Sequence, residues 1–389
     1  MAWLGNFFTA ASFTLVMPFM PLYVEQLGVP KNQVEWYSGL AVSLSALASA
    51  MVAPIWGRLA DRYGRKPMMV RASFMMTFTM GGLAFIPNVQ WLLIMRIING
   101  MFGGYIPNST ALIASQAPKN RAGYALGTLS TGATGGFLIG PLLGGFLAEL
   151  FGIRTVFLLV GVILLCCTLI TMFFIKEDFE PVKKSEMMPI SEVFKRINNI
   201  QILIGLFVTS MVIQISAQSV SPILALYIRH LGQSGKLLFV SGVIVSAMGF
   251  SSMLSSSKLG KLGDRIGNHR LLLIALFYSF CMYVLCGLAN TPLILGLLRF
   301  LYGFGTGALM PSINSLLTKI IPKEGISRIF SYNQMFTNFG QVIGPFLGSA
   351  VATHMGYRSV FFVTSGVVLF NFLWSFMNFK KYLLVKEIV

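Results

Sequence analysis

Two arginines stand where charge is costly. Arg96, in the run RIINGMFGG, and Arg299, in RFLYGFGTG, each lie inside a long apolar stretch. At the centre of a membrane helix such a charge costs roughly 2.5–3.5 kcal/mol on insertion scales, and residues of this kind face the bundle interior or a water-filled cavity. A guanidinium stays protonated in a protein, so its chemistry is electrostatic: tuning a nearby acid or water. The plain alternative is pairing with interior carbonyls. Snorkelling explains Arg96 poorly, because it lies several residues from the outer end of its stretch.

Acids that could carry a proton are elsewhere. No Asp or Glu occupies the middle of an apolar stretch; Glu25, Glu35 and Glu149 mark stretch ends. Interfacial surface acids are their simplest reading, with Glu25 and Glu35 kept beside Arg96 as candidates for proton coupling. Asp61 stands among Arg58, Arg62, Arg65 and Lys66, which predicts a local charge network. His230, His269 and His354 fall at helix ends or loops without metal-ligand spacing and read as surface groups. No GxSxG, Walker-type loop or Cys/His cluster occurs, so neither enzyme activity nor a bound metal or cofactor is expected. Cys166, Cys167, Cys281 and Cys286 all lie in apolar runs and read as buried free thiols.

These residues must be positioned by membrane helices. Of 389 residues, 55% are hydrophobic and only 11% charged, against roughly a quarter charged in a soluble chain. Apolar runs of about 18 residues or more read as spans. They predict twelve helices, at approximately 3–24, 36–56, 68–87, 89–113, 122–150, 153–175, 200–228, 236–257, 271–289, 291–316, 329–355 and 357–379. The chain thus divides into six helices over 1–175, a polar linker over 176–199 and six helices with a short tail over 200–389. The linker holds Lys183, Lys184, Lys195 and Arg196 and has room for a short amphipathic helix. The first run lacks the basic lead and cleavage site of a signal peptide. It opens almost inside its span, at Met1-Ala2-Trp3, as expected if a short cytoplasmic lead precedes it.

Positive charge sets the orientation. With both termini cytoplasmic, Lys31, Arg154, Arg229, Lys236 and Arg358 are the external Lys and Arg, Arg96 and Arg299 are within helices, and the rest of the 29 lie on the cytoplasmic side. That bias is the signature of inward-facing loops. The net charge of +17 is therefore a topological signal, and no nucleic-acid partner is expected.

The two sets of six helices repeat. GRLADRYGRKPMM at 57–69 returns 203 positions later as GKLGDRIGNHRLL at 260–272, and the same offset takes Arg96 and Gly100 onto Arg299 and Gly303. One residue further on, Pro107 meets Pro311, Gly140-Pro141 meets Gly344-Pro345, and Gly152-x-Arg154 meets Gly356-x-Arg358. Tyr23 and Gly28 likewise match Tyr227 and Gly232. An even number of spans returns the chain to its starting side, so the two repeats are parallel.

At these residues the chain resembles the major facilitator superfamily. Within it the likeness is to the twelve-helix drug:proton antiporters, most of all the multidrug exporters of Gram-positive bacteria, and it covers essentially the whole chain. GRLADRYGRK at 57–66 is similar to the family's cytoplasmic motif between helices two and three; GATGGFLIGPLLGG at 132–145 resembles the helix-five motif of exporters. Pro18 and Pro21 fit the drug-antiporter pattern in helix one. The resemblance implies an all-α membrane protein of twelve helices in two parallel six-helix repeats. It implies a solute site near the midplane between repeats that rock to expose it to either side.

Site roles follow from the resemblance and from the residues together. Gly57, Asp61, Arg62, Gly64 and Arg65 are expected to gate the cytoplasmic side, Gly57 and Gly64 by permitting a tight turn, and Asp61 by latching against the start of helix eleven. A solvated topogenic loop is the alternative. Gly132, Gly136, Gly140 and Gly144 recur every four residues, so they share one face that lets a neighbouring helix approach closely. Pro141 removes a backbone hydrogen bond and bends the helix, completing a hinge. Gly340, Gly344, Gly348 and Pro345 repeat the pattern more sparsely.

Arg96 corresponds to the helix-four arginine implicated in proton movement in related antiporters, although Asn99-Gly100 stands where the family has a glutamine-glycine pair. Many cation-exporting relatives carry a mid-membrane carboxylate, which this chain lacks. Candidate substrate contacts are Asn6, Phe13, Met17, Asn99, Gln214, Gln218, Asn333, Phe336 and Asn338, since such pockets are mostly apolar with a few convergent polar groups. The expected activity is export of varied amphipathic drugs in exchange for protons. The expected setting is the bacterial plasma membrane, multi-pass and monomeric. Transport of one metabolite such as a sugar, or sensing on a transporter scaffold, are the alternatives.

Overall fold

Prolines break the first span where they fall. The computed structural model describes residues 1–116, 122–177, 200–320 and 326–383, without the Asp61 side chain and a few at the segment ends. Span one, predicted as a single helix, is α1 (Ala2–Leu15), a 3₁₀ turn at Met17–Phe19, and α2 (Met20–Gln26). Pro18 and Pro21 have no N–H to donate back into a helix. The break recurs in span seven, where Ile200–Ser219, a turn at Ser221–Ile223 and Leu224–His230 follow one another around Pro222.

The motif between spans two and three is helix, not loop. α3 (Val34–Tyr63) runs well beyond its predicted end, and α4 (Arg65–Gly82) begins one residue after Gly64. Gly64 makes the whole turn at φ +98°, a conformation that a Cβ disfavours. Gly267, at φ +95°, does the same between Leu237–Ile266 and Asn268–Gly287. Arg71, which the charge count placed on the cytoplasmic side, lies within α4.

Span four is split into α5 (Val89–Phe102) and α6 (Tyr105–Gln116), whereas its counterpart Pro292–Ile320 is continuous through Pro311. Spans five and six are α7 (Ala122–Phe151), which continues through Pro141, and α8 (Ile153–Phe174). Ile326–Met355 and Tyr357–Leu383 complete the second repeat. Nearly all of the predicted linker lies outside the described residues.

Among the described residues, nine helical spans are long and apolar enough to cross a membrane. The other three predicted spans fall short for visible reasons. α4 carries Arg65, Lys66 and Arg71, α5 and α6 are each short, and Ile326–Met355 opens with the polar run ISRIFSYNQMFTNFGQ. Phe78, Phe85, Leu293 and Phe370 are more than half exposed, the apolar exterior that a bilayer covers.

The chain forms two compact units, Met1–Lys183 with Leu224–Ser246, and Lys184–Ile223 with Ala247–Val389. In the first, α1 packs on α7 and α4 on α8. In the second, the matched helices pair alike: Ile200–Ser219 packs on Ile326–Met355, and Asn268–Gly287 on Tyr357–Leu383.

Candidate functional site

The glycine face of α7 is seated on α1. A Cβ at Gly132 would stand 2.7 Å from the Trp3 carbonyl oxygen, at Gly136 2.8 Å from the Ala11 nitrogen, and at Gly140 2.8 Å from the Ala11 oxygen. At Gly144 it would lie 2.9 Å from the Leu15 carbonyl carbon. Each contact is with backbone, which cannot step aside, so α1 and α7 approach only because these residues lack side chains. Trp3 Nε1 donates to Thr131 Oγ1 at 3.0 Å along the same seam. The second unit repeats the arrangement: a Cβ at Gly340 would meet the Met211 oxygen at 2.5 Å, and one at Gly344 the Ile215 oxygen at 2.8 Å.

Arg96 is 2% exposed and donates from Nε to the Ala41 carbonyl of α3 at 3.2 Å. Asn99, one turn on, is also buried and donates from Nδ2 to Thr79 Oγ1 at 3.3 Å. Arg299 has a different surrounding. It lies 5.8 Å from the Tyr302 ring, the Tyr302 and Tyr283 hydroxyls are 2.9 Å apart, and Tyr283 donates to the Ser216 carbonyl at 2.7 Å. The repeat therefore keeps the charge and changes what it faces.

The acids at the span ends have distinct places. Glu25, at the end of α2, makes a two-pronged pair with Arg229 at 2.7 and 2.6 Å. Glu25, Glu149 and Lys236 share a cleft of about 420 Å³ within the first unit. Glu35 is buried in the first turn of α3, where the helix dipole favours negative charge.

Around Gly64 the structure adds a residue that motif reading missed. Glu177 Oε1 and Oε2 accept from the backbone amides of Arg65 and Lys66 at 2.7 and 2.8 Å, capping the N-terminus of α4. A Cβ at Gly64 would stand 2.7 Å from Glu177 Oε2. Arg62 lies 5.3 Å from the Tyr63 ring, Gly57 has open space beside it, and the Asp61 side chain lies outside the described residues. An acid three residues past the end of α8 was the available signal for Glu177. In the second unit Asn268 Nδ2 instead donates to Ser315 Oγ at 2.9 Å.

The substrate candidates divide between the units. In the first, Asn6 is buried and accepts from Ser109 Oγ, Met17 is buried in the 3₁₀ turn, and Phe13 is half-buried. In the second, Gln214 and Gln218 are half-buried beside Gly340 and Gly344. Phe336 stacks on Phe207 with centroids 5.3 Å apart, Asn338 accepts from Gln334 at 2.9 Å, and buried Asn333 has an Oδ1 without a hydrogen-bond partner among the described residues. Asn6 and Asn99 thus serve packing contacts already.

Comparison with known proteins gives one family. The profile described as Major Facilitator Superfamily matches residues 2–289 and 206–383. The chain is 59% identical to the multi-drug resistance efflux pump PmrA of Streptococcus pneumoniae, over 100% of this chain and 97% of that one. It is 46% identical to the multidrug resistance protein MdtG of Klebsiella pneumoniae, over 97% and 92% of the two chains. Its fold is similar to the crystal structure of a bacterial homolog of the human lysosomal transporter Spinster, with TM-score 0.80, 13% identity, and 97% and 95% coverage.

Proposed function

We propose that this chain, which belongs to the major facilitator superfamily, exports structurally varied amphipathic drugs across the bacterial plasma membrane in exchange for protons. The observation that carries the reading is likeness along the whole chain to two proteins named for multidrug resistance, one of them an efflux pump at 59% identity. The six-helix repeats alternate access to a central site, with both termini on the cytoplasmic side. The glycine seam between α1 and α7 is the surface over which those helices re-angle, because backbone-to-backbone contact has few interdigitated side chains to hold one register. Arg96 acts on the proton path by its field, and Gly64 with its neighbours gates the cytoplasmic end.

The test is dye accumulation in inside-out vesicles or proteoliposomes, with and without an imposed pH gradient. Export driven by the gradient supports the proposal. Accumulation that ignores the gradient removes proton antiport and leaves export. Failure to move any of several dyes, with Asp61→Asn behaving as the parent, favours a single-metabolite carrier or a sensor.

A further inference from the structure

Span four of the first repeat is discontinuous, and side chains outside the predicted site hold it so. Gly103 is extended, with ψ −175°, and Gly104 has φ +110°. The carbonyls in the last turn of α5 therefore lose the amides that a continuous helix would offer. In a membrane, non-helical backbone persists only where other groups satisfy it. Trp56 Nε1 donates to the Met101 carbonyl at 2.7 Å. Arg71 Nη2 donates to the carbonyls of Phe102 and Gly103 at 3.3 and 3.0 Å. Asn108 Nδ2 donates to Gly104 at 2.7 Å. The Met101, Phe102 and Gly103 carbonyls thus each have a side-chain donor, and the Gly104 carbonyl has one in addition to the Asn108 amide at 3.3 Å. The Arg71 guanidinium carbon lies 3.4 Å from the Trp56 ring centroid, a stack that accompanies an Nε and an Nη1 without hydrogen-bond partners among the described residues.

The second repeat is the internal control. The positions 203 residues after Trp56 and Arg71 hold Leu259 and Ile274, whose side chains donate nothing, and there Pro292–Ile320 is unbroken. Gly100–Pro107 is also one residue shorter than Gly303–Pro311, so the first repeat reaches its proline early. Discontinuous helices in transporters expose carbonyls that bind a free cation. Here the cation is Arg71, attached to the chain itself and set against the negative end of α5.

We propose that Arg71 and Trp56 are positioning residues for transport: together they keep span four broken at Gly103–Gly104, so that α5, with Arg96 and Asn99, can re-angle independently of α6. The transport role rests on the export reading above, whereas the clamp itself does not.

Hydrogen–deuterium exchange over 101–108, on the purified chain in lipid nanodiscs, tests the clamp with Trp56→Leu/Arg71→Ile, the residues of the second repeat. We expect the helix to close and amide exchange at 104–106 to slow about tenfold, one buried hydrogen bond's worth; Pro107 has no amide to report. Trp56→Phe, which keeps the ring and loses the donor, gives a smaller slowing and serves if the double variant does not fold. Unchanged exchange in the folded variant overturns the clamp. Dye efflux by Arg71→Ala should fall about tenfold and recover when guanidinium chloride is added, while Arg71→Lys, a point charge without the planar fork, stays impaired. Normal efflux by Arg71→Ala, or a loss that guanidinium does not restore, overturns the positioning role. If the parent chain moves no dye, the export reading fails while exchange still decides the clamp.

Discussion

Glu25 and Arg229 meet as a two-pronged ion pair that ties the end of α2 to Leu224–His230, with both nitrogens within 2.7 Å of a carboxylate oxygen. The two side chains are 22% and 41% exposed, and pairs this wet contribute about 0.2–1 kcal/mol. A contact so weak in equilibrium terms and so well formed in geometry suits a tie that is broken and remade. Glu25→Gln should shift the thermal midpoint by less than about 3 °C yet change dye turnover about two- to fivefold. Exchanging the charges, Glu25→Arg with Arg229→Glu, should recover parental turnover. A large loss of thermal stability would make the pair a structural anchor, and unchanged turnover in Glu25→Gln would remove it from the transport cycle.

The glycine seam predicts a contrast between two positions on one helix. An alanine at Gly140 would press its Cβ to 2.8 Å from the Ala11 oxygen, whereas Gly127 has nothing within 4 Å. Overpacking of this sort costs about 1–3 kcal/mol. Gly140→Ala should lower efflux about tenfold, and Gly140→Leu should abolish it while the protein still inserts; Gly127→Ala should match the parent. Immunoblot of the membrane fraction beside dye efflux separates insertion from activity. Normal efflux by a correctly inserted Gly140→Leu would sink the seam as a moving surface.

Glu177 caps α4 with two charge-assisted bonds, and a cap of this kind contributes about 0.5–2 kcal/mol. Glu177→Gln keeps an acceptor and should lose less than Glu177→Ala, which leaves the Arg65 and Lys66 amides open. Gly64→Ala should be worse than either, because it combines φ +98° with a Cβ 2.7 Å from Glu177 Oε2. Thermal unfolding in detergent gives the order directly. Equal midpoints for Glu177→Ala and the parent would show the cap to be without energetic weight.

What was legible in the sequence was whatever repeats at short range. Glycines four apart on α7 necessarily share a face, and that face does meet α1. Apolar runs between polar breaks located the nine helical spans that are long and apolar enough to cross a membrane among the described residues, because the bilayer sets their length. What was hidden depends on partners far along the chain. Arg71 reads as one more cytoplasmic cation until Phe102 and Gly103 are seen to need its donors. Glu177 lies 112 residues from Arg65, and no local pattern announces that pairing. The motif at 57–69 reads as a loop because its charges suggest solvent, yet Gly64 alone interrupts the helices. For the polar substrate candidates, residue type does not tell direction: Asn6 and Asn99 turn to neighbours within their own unit.

Arg96 permits a prediction in which stability and function move oppositely. It is 2% exposed and, among the described residues, meets a carbonyl and no carboxylate, so its charge is buried there without an ion-pair partner. Replacing a buried ion pair by apolar side chains of similar volume is often neutral or stabilising by about 1–4 kcal/mol, and a lone buried charge carries the same desolvation cost with less attraction to offset it. A residue retained for its field should therefore be costly to folding and needed for work. Arg96→Met should raise the thermal midpoint, or leave it unchanged, while pH-gradient-driven efflux falls at least about tenfold. Arg96→Lys keeps a charge but not the guanidinium plane, and should fall between Arg96→Met and the parent in efflux. The same substitution at Arg299 serves as the comparison, because the tyrosine pair there offers the cation a ring as well as hydroxyl dipoles; Arg299→Met should gain less stability than Arg96→Met. A lower midpoint for Arg96→Met, with efflux lost only in proportion to the folded fraction, would return Arg96 to a structural role on the Ala41 carbonyl.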